Sequence, residues 1–257
     1  MNNLVSIITP TYNSERYIQE TIKSVQNQTY SNWEMIIVDD CSTDNTVKII
    51  EKIQKTEPRI ILFKLEKNSG AGIARNKAIE LAQGRYIAFL DADDLWKPEK
   101  LEKQINFLTN NNQVFTFSFY EWIDENGNLL HKIIKAPSPL TYSQLLFCNY
   151  VGNLTGIYDT SFFGKIPMTS IRKRQDWVYW LTILKKIKTS QPVPESLAYY
   201  RIRKGSISSS KINLVQYNFK IYREYLNKNL IISTLYIGIF LFTHFFVKPK
   251  YVKKIKF

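Results

Sequence analysis

Through the first 115 residues, short apolar runs alternate with apolar positions at helical spacing. Residues 5–9, 34–38, 59–65 and 86–90 are rich in β-branched and aromatic side chains and end at turn formers or acids, so each predicts a strand. Between them, residues 14–28 set Tyr17, Ile18, Thr21, Ile22 and Val25 on one helical face, with Ser14 as candidate N-cap. Thr43-Asp44-Asn45 opens a helix carrying Val47, Ile50 and Ile53, and Asn68-Ser69-Gly70-Ala71-Gly72 leads into another that Gly84 ends. Lys97-Pro98-Glu99 starts a fourth. Repeated β-α units of this length predict a mainly parallel sheet covered by helices.

Beyond residue 115 the rhythm changes. Residues 114–119 alternate like a strand, 124–128 read as a turn and 129–134 as a returning strand. Residues 141–148 read as helical, 151–163 as irregular, 177–186 as an amphipathic helix and 199–210 as a basic, Ser-rich loop. The expected organisation is one α/β domain over 1–212, with a nucleotide-binding half (1–115) and an acceptor-binding half (116–212). A helical tail follows over 213–257.

Residues 230–247 carry no formal charge, which is long enough for a membrane span. A span would carry Lys248, Lys250, Lys253, Lys254 and Lys256 away from the cytoplasm, against the positive-inside tendency. Helices lying in the cytoplasmic interface, lysines on anionic headgroups, are therefore preferred. A helix packed on the domain's own core stays open. Charge sharpens this: residues 201–257 hold 12 Lys/Arg against Glu224 alone, whereas the other 200 residues are nearly neutral. Such a tail fits an anionic membrane or nucleic acid, and its uncharged run favours the membrane. Hydrophobic content of 44% with 14% aromatic residues excludes a disordered chain. Two cysteines are too few for a disulfide framework, and with no secretory signal visible the expected location is cytoplasmic, peripheral to the inner face of the plasma membrane.

Candidate chemistry sits where the strands end. Asp91-Ala92-Asp93 follows the run 85–90, and Asp39-Asp40 ends 34–38. Ligands of open α/β sheets bind outside the carboxyl ends of strands, so both pairs point to one crevice. Paired carboxylates suit Mn²⁺ or Mg²⁺, which clamp a diphosphate. A metal-dependent enzyme acting on a nucleotide diphosphate is the reading. The plainer alternatives are that Asp39 or Asp40 caps the helix near Thr43, and Asp94 the helix near Pro98.

Six segments together resemble glycosyltransferase family 2, across roughly residues 4–210. These are Val5-Ser6-Ile7-Ile8-Thr9-Pro10-Thr11-Tyr12-Asn13; Val38-Asp39-Asp40-Cys41-Ser42-Thr43-Asp44, with Cys41 where Gly is common; Asn68-Ser69-Gly70 with Ala74-Arg75-Asn76; Asp91-Ala92-Asp93-Asp94; Arg174-Gln175-Asp176-Trp177; and Tyr200-Arg201 with Gly205-Ser206-Ile207-Ser208. Residues 171–176 and the aromatic, basic tail look closest to bacterial enzymes of O-antigen, capsule or teichuronic-type polysaccharide synthesis. One departure is Arg203, where many relatives have His.

The resemblance implies a GT-A fold, a Rossmann-like mixed, mainly parallel sheet flanked by helices. It also implies an inverting transfer from a nucleotide-sugar, UDP-sugar first, to an undecaprenyl-diphosphate-linked glycan. Thr9, Pro10 and Tyr12 would wall the base, Asp40 would accept from a pyrimidine imide N–H, and Asn68 would contact the nucleotide. Arg75 would either do the same or hold Asp91 or Asp93. Asp93 would ligate the metal, with Asp91 on ribose or on metal through water, and Arg201 and Ser206 would meet the diphosphate as their loop closes. Asp176 would be the general base, the alternative being a helix cap. Trp177 and Trp180 would either stack on acceptor sugar or lie in the core, and Arg201 and Ser206 would otherwise belong to a solvated basic loop. Two other classes rank below: a sugar nucleotidyltransferase, whose Gly-rich basic loop residues 9–13 lack, and a nucleic-acid-binding module driven by the tail, so no nucleic-acid partner is expected.

Overall fold

A computed structural model of the protein describes residues 3–203 and 211–254, apart from the side chains of 211–214. In chain order the first half runs β1 (Val5–Thr11), α1 (Ile18–Gln26), β2 (Trp33–Asp39), α2 (Thr46–Gln54), β3 (Ile60–Lys64), α3 (Ala71–Leu81), β4 (Tyr86–Phe89), β5 (Leu95–Trp96) and α4 (Lys100–Asn110). β1 lies between β2 and β4 and is parallel to both, and β3 extends the parallel set beside β2. Every residue of β1, β2 and β4 is buried, as expected of a sheet covered on both faces. The period of two divides them: Ile8, Ile36 and Phe89 face one core, while Ile7, Met35 and Ala88 face the other.

The second half supplies β6 (Phe115–Ile123), β7 (Leu129–Ile134), β8 (Leu140–Thr141), α5 (Tyr142–Phe147), β9 (Ile157–Asp159), α6 (Thr160–Phe163), α7 (Gln175–Ile187), β10 (Thr189–Ser190), β11 (Pro192–Arg201), α8 (Lys211–Lys220), α9 (Leu230–Phe242) and β12 (Val252–Lys254). The main path is β12-β7-β6-β9-β4-β1-β2-β3, with β11 beside β6 and β5 beside β11. β9 is antiparallel to both β4 and β6, so the sheet is mixed, and its parallel set β4-β1-β2-β3 comes from the first half of the chain.

Two local readings change and one open alternative is decided. Ser14 does not cap α1 with its side chain: its carbonyl takes the Tyr17 and Ile18 N–H groups, and its hydroxyl turns to the Tyr12 carbonyl. Residues 199–201, expected in a loop, end β11. That strand was hidden by Pro192 and Pro194, and its register against β6 shifts between Val193 and Ser196, where Pro194 lies. Trp177 and Trp180 are fully buried, so the core alternative holds and neither can stack on an acceptor sugar.

The C-terminal segment combines two expectations. Phe240 packs on Trp177 at 5.8 Å between ring centroids, Tyr236 on Tyr222 at 5.3 Å, and β12 pairs antiparallel with β7. On the opposite face Leu230, Ile231, Leu235, Phe242, Phe245 and Phe246 are 60–72% exposed. Within the helical run Leu230–Tyr251 an 18-residue stretch has a mean hydropathy of 2.1, high enough for a span. The chain touches the domain on both sides of this run, through Tyr222 before it and β12 after it.

Gly156 is required by packing. A Cβ there would lie 2.4 Å from Cη2 of Trp180, whose ring is stacked against Phe115 and edge-on to Phe89. Gly156→Ala should therefore destabilise by about 1–3 kcal/mol. Urea denaturation checks this: the midpoint should fall with the slope unchanged, and an unaltered midpoint would contradict the packing.

Candidate active site

The carboxyl ends of β1, β2 and β4 meet at one edge of the sheet, and the loops leaving them carry the acids. After β2, Asp39 turns back on Ser42, accepting its backbone N–H at 2.9 Å. Asp40 reaches across to the loop before α3, where Oδ1 accepts the Ser69 N–H at 2.6 Å and Oδ2 the Gly70 N–H at 2.7 Å. Neither acid caps α2, so the capping alternative fails at the helix near Thr43. Asn68 donates its amide to the Asp40 carbonyl at 3.1 Å. Directly after these acids Cys41 has φ of +63°, the left-handed region that favours glycine. Beside them, Thr9 and Pro10 are buried at the end of β1 and the Tyr12 ring is half exposed. A carboxylate has about four acceptor positions, so Asp40 keeps capacity for a further donor.

Asp91 and Asp93 follow β4. Arg75, on α3, donates from Nη2 to Asp91 Oδ1 at 2.6 Å and from Nη1 to Gln175 Oε1 at 2.8 Å. Asn153 adds its amide to the same Asp91 oxygen at 3.2 Å. The second alternative for Arg75 is thus the one observed: it holds Asp91. Gly72 allows this approach, since a Cβ there would lie 2.4 Å from Gln175 Nε2. Asp93 forms an ion pair with Arg203, Oδ2 to Nε at 2.6 Å. Burial pushes the Asp93 carboxyl up, Arg203 opposes this, and the charge of Asp91 adds to it.

Asp94 is fully buried, and burial, with Asp93 and Asp91 beside it, pushes its carboxyl well above the usual range. It accepts the Arg201 backbone N–H at 2.9 Å rather than capping α4. Arg201 itself corrects the sequence reading. Its guanidinium is 1% exposed and donates to the carbonyls of Asp93, Asp124 and Glu125 and to the Glu20 carboxylate. A guanidinium spent on protein partners is not free for a diphosphate, and Arg203, two residues on, is the cation paired with Asp93. Ser206 lies outside the described residues.

Asp176 stands in the first turn of α7, half-buried. It makes no capping bond; Oδ2 instead accepts the Asn149 amide at 2.7 Å. Arg75 bonds Gln175, the residue before it, so the acids after β4 and the start of α7 belong to one network. Sequence reasoning missed Asn149, Asn153 and Gln175. Adjacency to Asp176 was the only signal for Gln175, and the two asparagines lie in or beside an irregular stretch without periodicity.

The donor set fits a divalent cation. Asp91 and Asp93 offer hard oxygens in a partly buried site, and the second Asp91 oxygen takes no hydrogen bond from the described residues. No group of three His, Cys, Asp or Glu gathers among the described residues, so water and substrate phosphate would complete the shell, as Mg²⁺-type sites commonly require.

A family model for Glycosyl transferase family 2 matches residues 6–168. The chain is 48% identical over 221 residues to the teichuronic acid biosynthesis glycosyltransferase TuaG of Bacillus subtilis, covering 86% of this chain and 88% of that one. It is 38% identical over 229 residues to UDP-Glc:alpha-D-GlcNAc-diphosphoundecaprenol beta-1,3-glucosyltransferase WfgD of Escherichia coli, covering 88% of each. Among solved structures, S. aureus TarS 1–349 in complex with UDP-GlcNAc superposes with a TM-score of 0.72 at 25% identity, over 96% of this chain and 74% of that one. The mixed sheet is of the GT-A type.

Arg201 and Arg203 should separate cleanly. Arg201→Ala strips a buried cation from its carbonyl and carboxylate partners and should cost about 3 kcal/mol or more of stability, while folded protein keeps its nucleotide affinity. Arg203→Ala should leave the melting temperature nearly unchanged and weaken UDP binding at least several-fold. Thermal melts beside calorimetry decide it, and the reverse pattern would overturn the assignment.

Proposed function

The chain belongs to glycosyltransferase family 2, and from that premise we propose that it moves a sugar from a UDP-sugar to an undecaprenyl-diphosphate-linked glycan, with inversion at the anomeric carbon. The observation that carries this reading is the Arg75 bridge, one nitrogen on Asp91 and the other on Gln175 beside Asp176. It joins a place for the leaving diphosphate to a place for the base. Named activities of relatives, a diphosphoundecaprenol glucosyltransferase and a teichuronic acid glycosyltransferase, support the substrate class.

In this account Thr9, Pro10 and Tyr12 form the wall against the base. Asp40 uses its remaining acceptor capacity for a uracil imide N–H, with Asn68 alongside. Asp93, with Asp91 directly or through water, would hold Mn²⁺ or Mg²⁺, which supplies neutralisation of the charge that develops on the diphosphate. Arg203, with Ser206 from the adjoining segment, adds further positive and hydrogen-bonding character there. Asp176 takes the proton of the acceptor hydroxyl while its oxygen attacks C1 from the face opposite the diphosphate. The C1–O bond to the diphosphate breaks and UDP leaves, so an α-linked donor gives a β-glycoside.

The uncovered apolar face of α9 and the lysines around it suit the anionic inner leaflet. Lys228 precedes it, and Lys250, Lys253 and Lys254 follow. Peripheral binding there brings a lipid-linked acceptor to the site in two dimensions.

Calorimetric titration with UDP, with Mn²⁺ and then with EDTA, tests the donor side. Micromolar binding that requires metal and is lost in Asp93→Ala is expected, and folded protein that binds no nucleotide would contradict the reading. On the acceptor side, Asp176→Asn should keep UDP affinity and lose about 10²–10⁴-fold in kcat with UDP-glucose and α-GlcNAc-diphosphoundecaprenol. Full activity in that variant would remove Asp176 from the base role.

A further inference from the structure

Asn149 lies between the proposed base and the C-terminal segment. Its Nδ2 donates to Asp176 Oδ2 at 2.7 Å, and its Oδ1 accepts the Val151 N–H at 3.2 Å. The backbone donor settles the amide orientation, because a flipped amide would set N–H against N–H and oxygen against carboxylate. On its other side, Lys248 Nζ donates to the Asn149 carbonyl at 3.1 Å. Next to that bond the Tyr150 ring meets Tyr251 edge-on at 5.3 Å, and the Lys135 N–H binds the Tyr251 carbonyl at 2.8 Å. Lys248 lies two residues beyond the exposed Phe245–Phe246 pair.

We propose that Asn149 is a positioning residue for Asp176, and that Lys248 fastens Asn149 to the lipid-facing segment, so that seating this segment on a membrane aligns the base. The inference rests on Asp176 being the base. A carboxylate at the start of a helix turns freely about its last bond, and only some settings aim a lone pair at an incoming hydroxyl. With Oδ2 held by the Asn149 amide, Oδ1, which has no hydrogen-bond partner among the described residues, becomes the proton acceptor in a fixed direction. Asn149 touches no substrate in this role. Its support comes from two directions, the 149–151 turn and the Lys248–Tyr251 stretch, and the second borders the face that would enter the lipid interface. An enzyme whose acceptor is confined to the bilayer is thereby most active when it is seated there.

The test uses full-length protein with UDP-glucose and α-GlcNAc-diphosphoundecaprenol, in phosphatidylglycerol-containing vesicles and in detergent. Slow hydrolysis of UDP-glucose serves as a readout that needs no acceptor. Asn149→Ala should lower kcat about 10- to 100-fold, with donor KM and UDP affinity unchanged, and Asn149→His, whose ring N–H can reach the same oxygen, should recover much of it. Lys248→Met should still sediment with vesicles but lose most of the rate gain that vesicles give over detergent. If Asn149→Ala instead lowers kcat, UDP affinity and melting temperature together, with no recovery in Asn149→His, its role is structural and the inference falls. Equal vesicle stimulation in wild type and Lys248→Met would remove the link to the membrane. An active Asp176→Asn would sink the base reading itself, whereas an inactive one beside an unaffected Asn149→Ala sinks this inference alone.

Discussion

Arg75 imposes the constraint on which the rest of the site depends. Its guanidinium is 13% exposed and spans from Asp91, after β4, to Gln175, at the start of α7. A planar fork can hold two partners at a fixed angle, which a lysine ammonium cannot reproduce. The two partners of Arg75 come from different halves of the chain, so this side chain ties the acids of the first half to the start of α7 in the second. The approach is close enough that Gly72 has no room for a methyl group.

A second constraint is charge. Asp91, Asp93 and Asp94 fall within four residues, and Asp94 is fully buried. Left alone, such acids would repel one another and resist ionisation. The fold answers with three arginines from three places: Arg75 on Asp91, Arg203 beside Asp93, and Arg201, which closes the Asp93 and Asp94 backbone and side chain from the end of β11. β11 therefore does more than extend the sheet. Its pairing with β5 and β6 delivers Arg201 to the acidic turn, and the chain emerging from it delivers Arg203.

Much of this was legible in the sequence, and the division is physical. Strands β1, β2 and β4 are buried on both faces and read as continuous apolar runs, and the acids at their ends marked the crevice. Asp93 and Asp176 carry chemistry that few residue types can supply, so they stood out, although their roles as metal ligand and base remain proposals. Arg201 misled because a basic residue in a Ser-rich stretch looks solvated, and only the long-range pairing of β11 buries it. Asn149, Asn153 and Gln175 were invisible because neutral amides act through partners that are distant in sequence. The tail was read as either interfacial or packed on the core; α9 has one face packed and one exposed, a distinction that requires knowing which side Trp177 and Tyr222 occupy.

The central claim is that Arg75 couples the acids after β4 to the helix that carries Asp176. A double-mutant cycle on the kcat of UDP-sugar turnover, using Arg75→Leu, Gln175→Leu and the double variant, measures that coupling directly. The account predicts a coupling energy of about 1 kcal/mol or more, since removing Gln175 should matter little once Arg75 is gone. Additivity of the two losses within about 0.5 kcal/mol would mean that the two halves of the site are positioned independently, and would contradict the account.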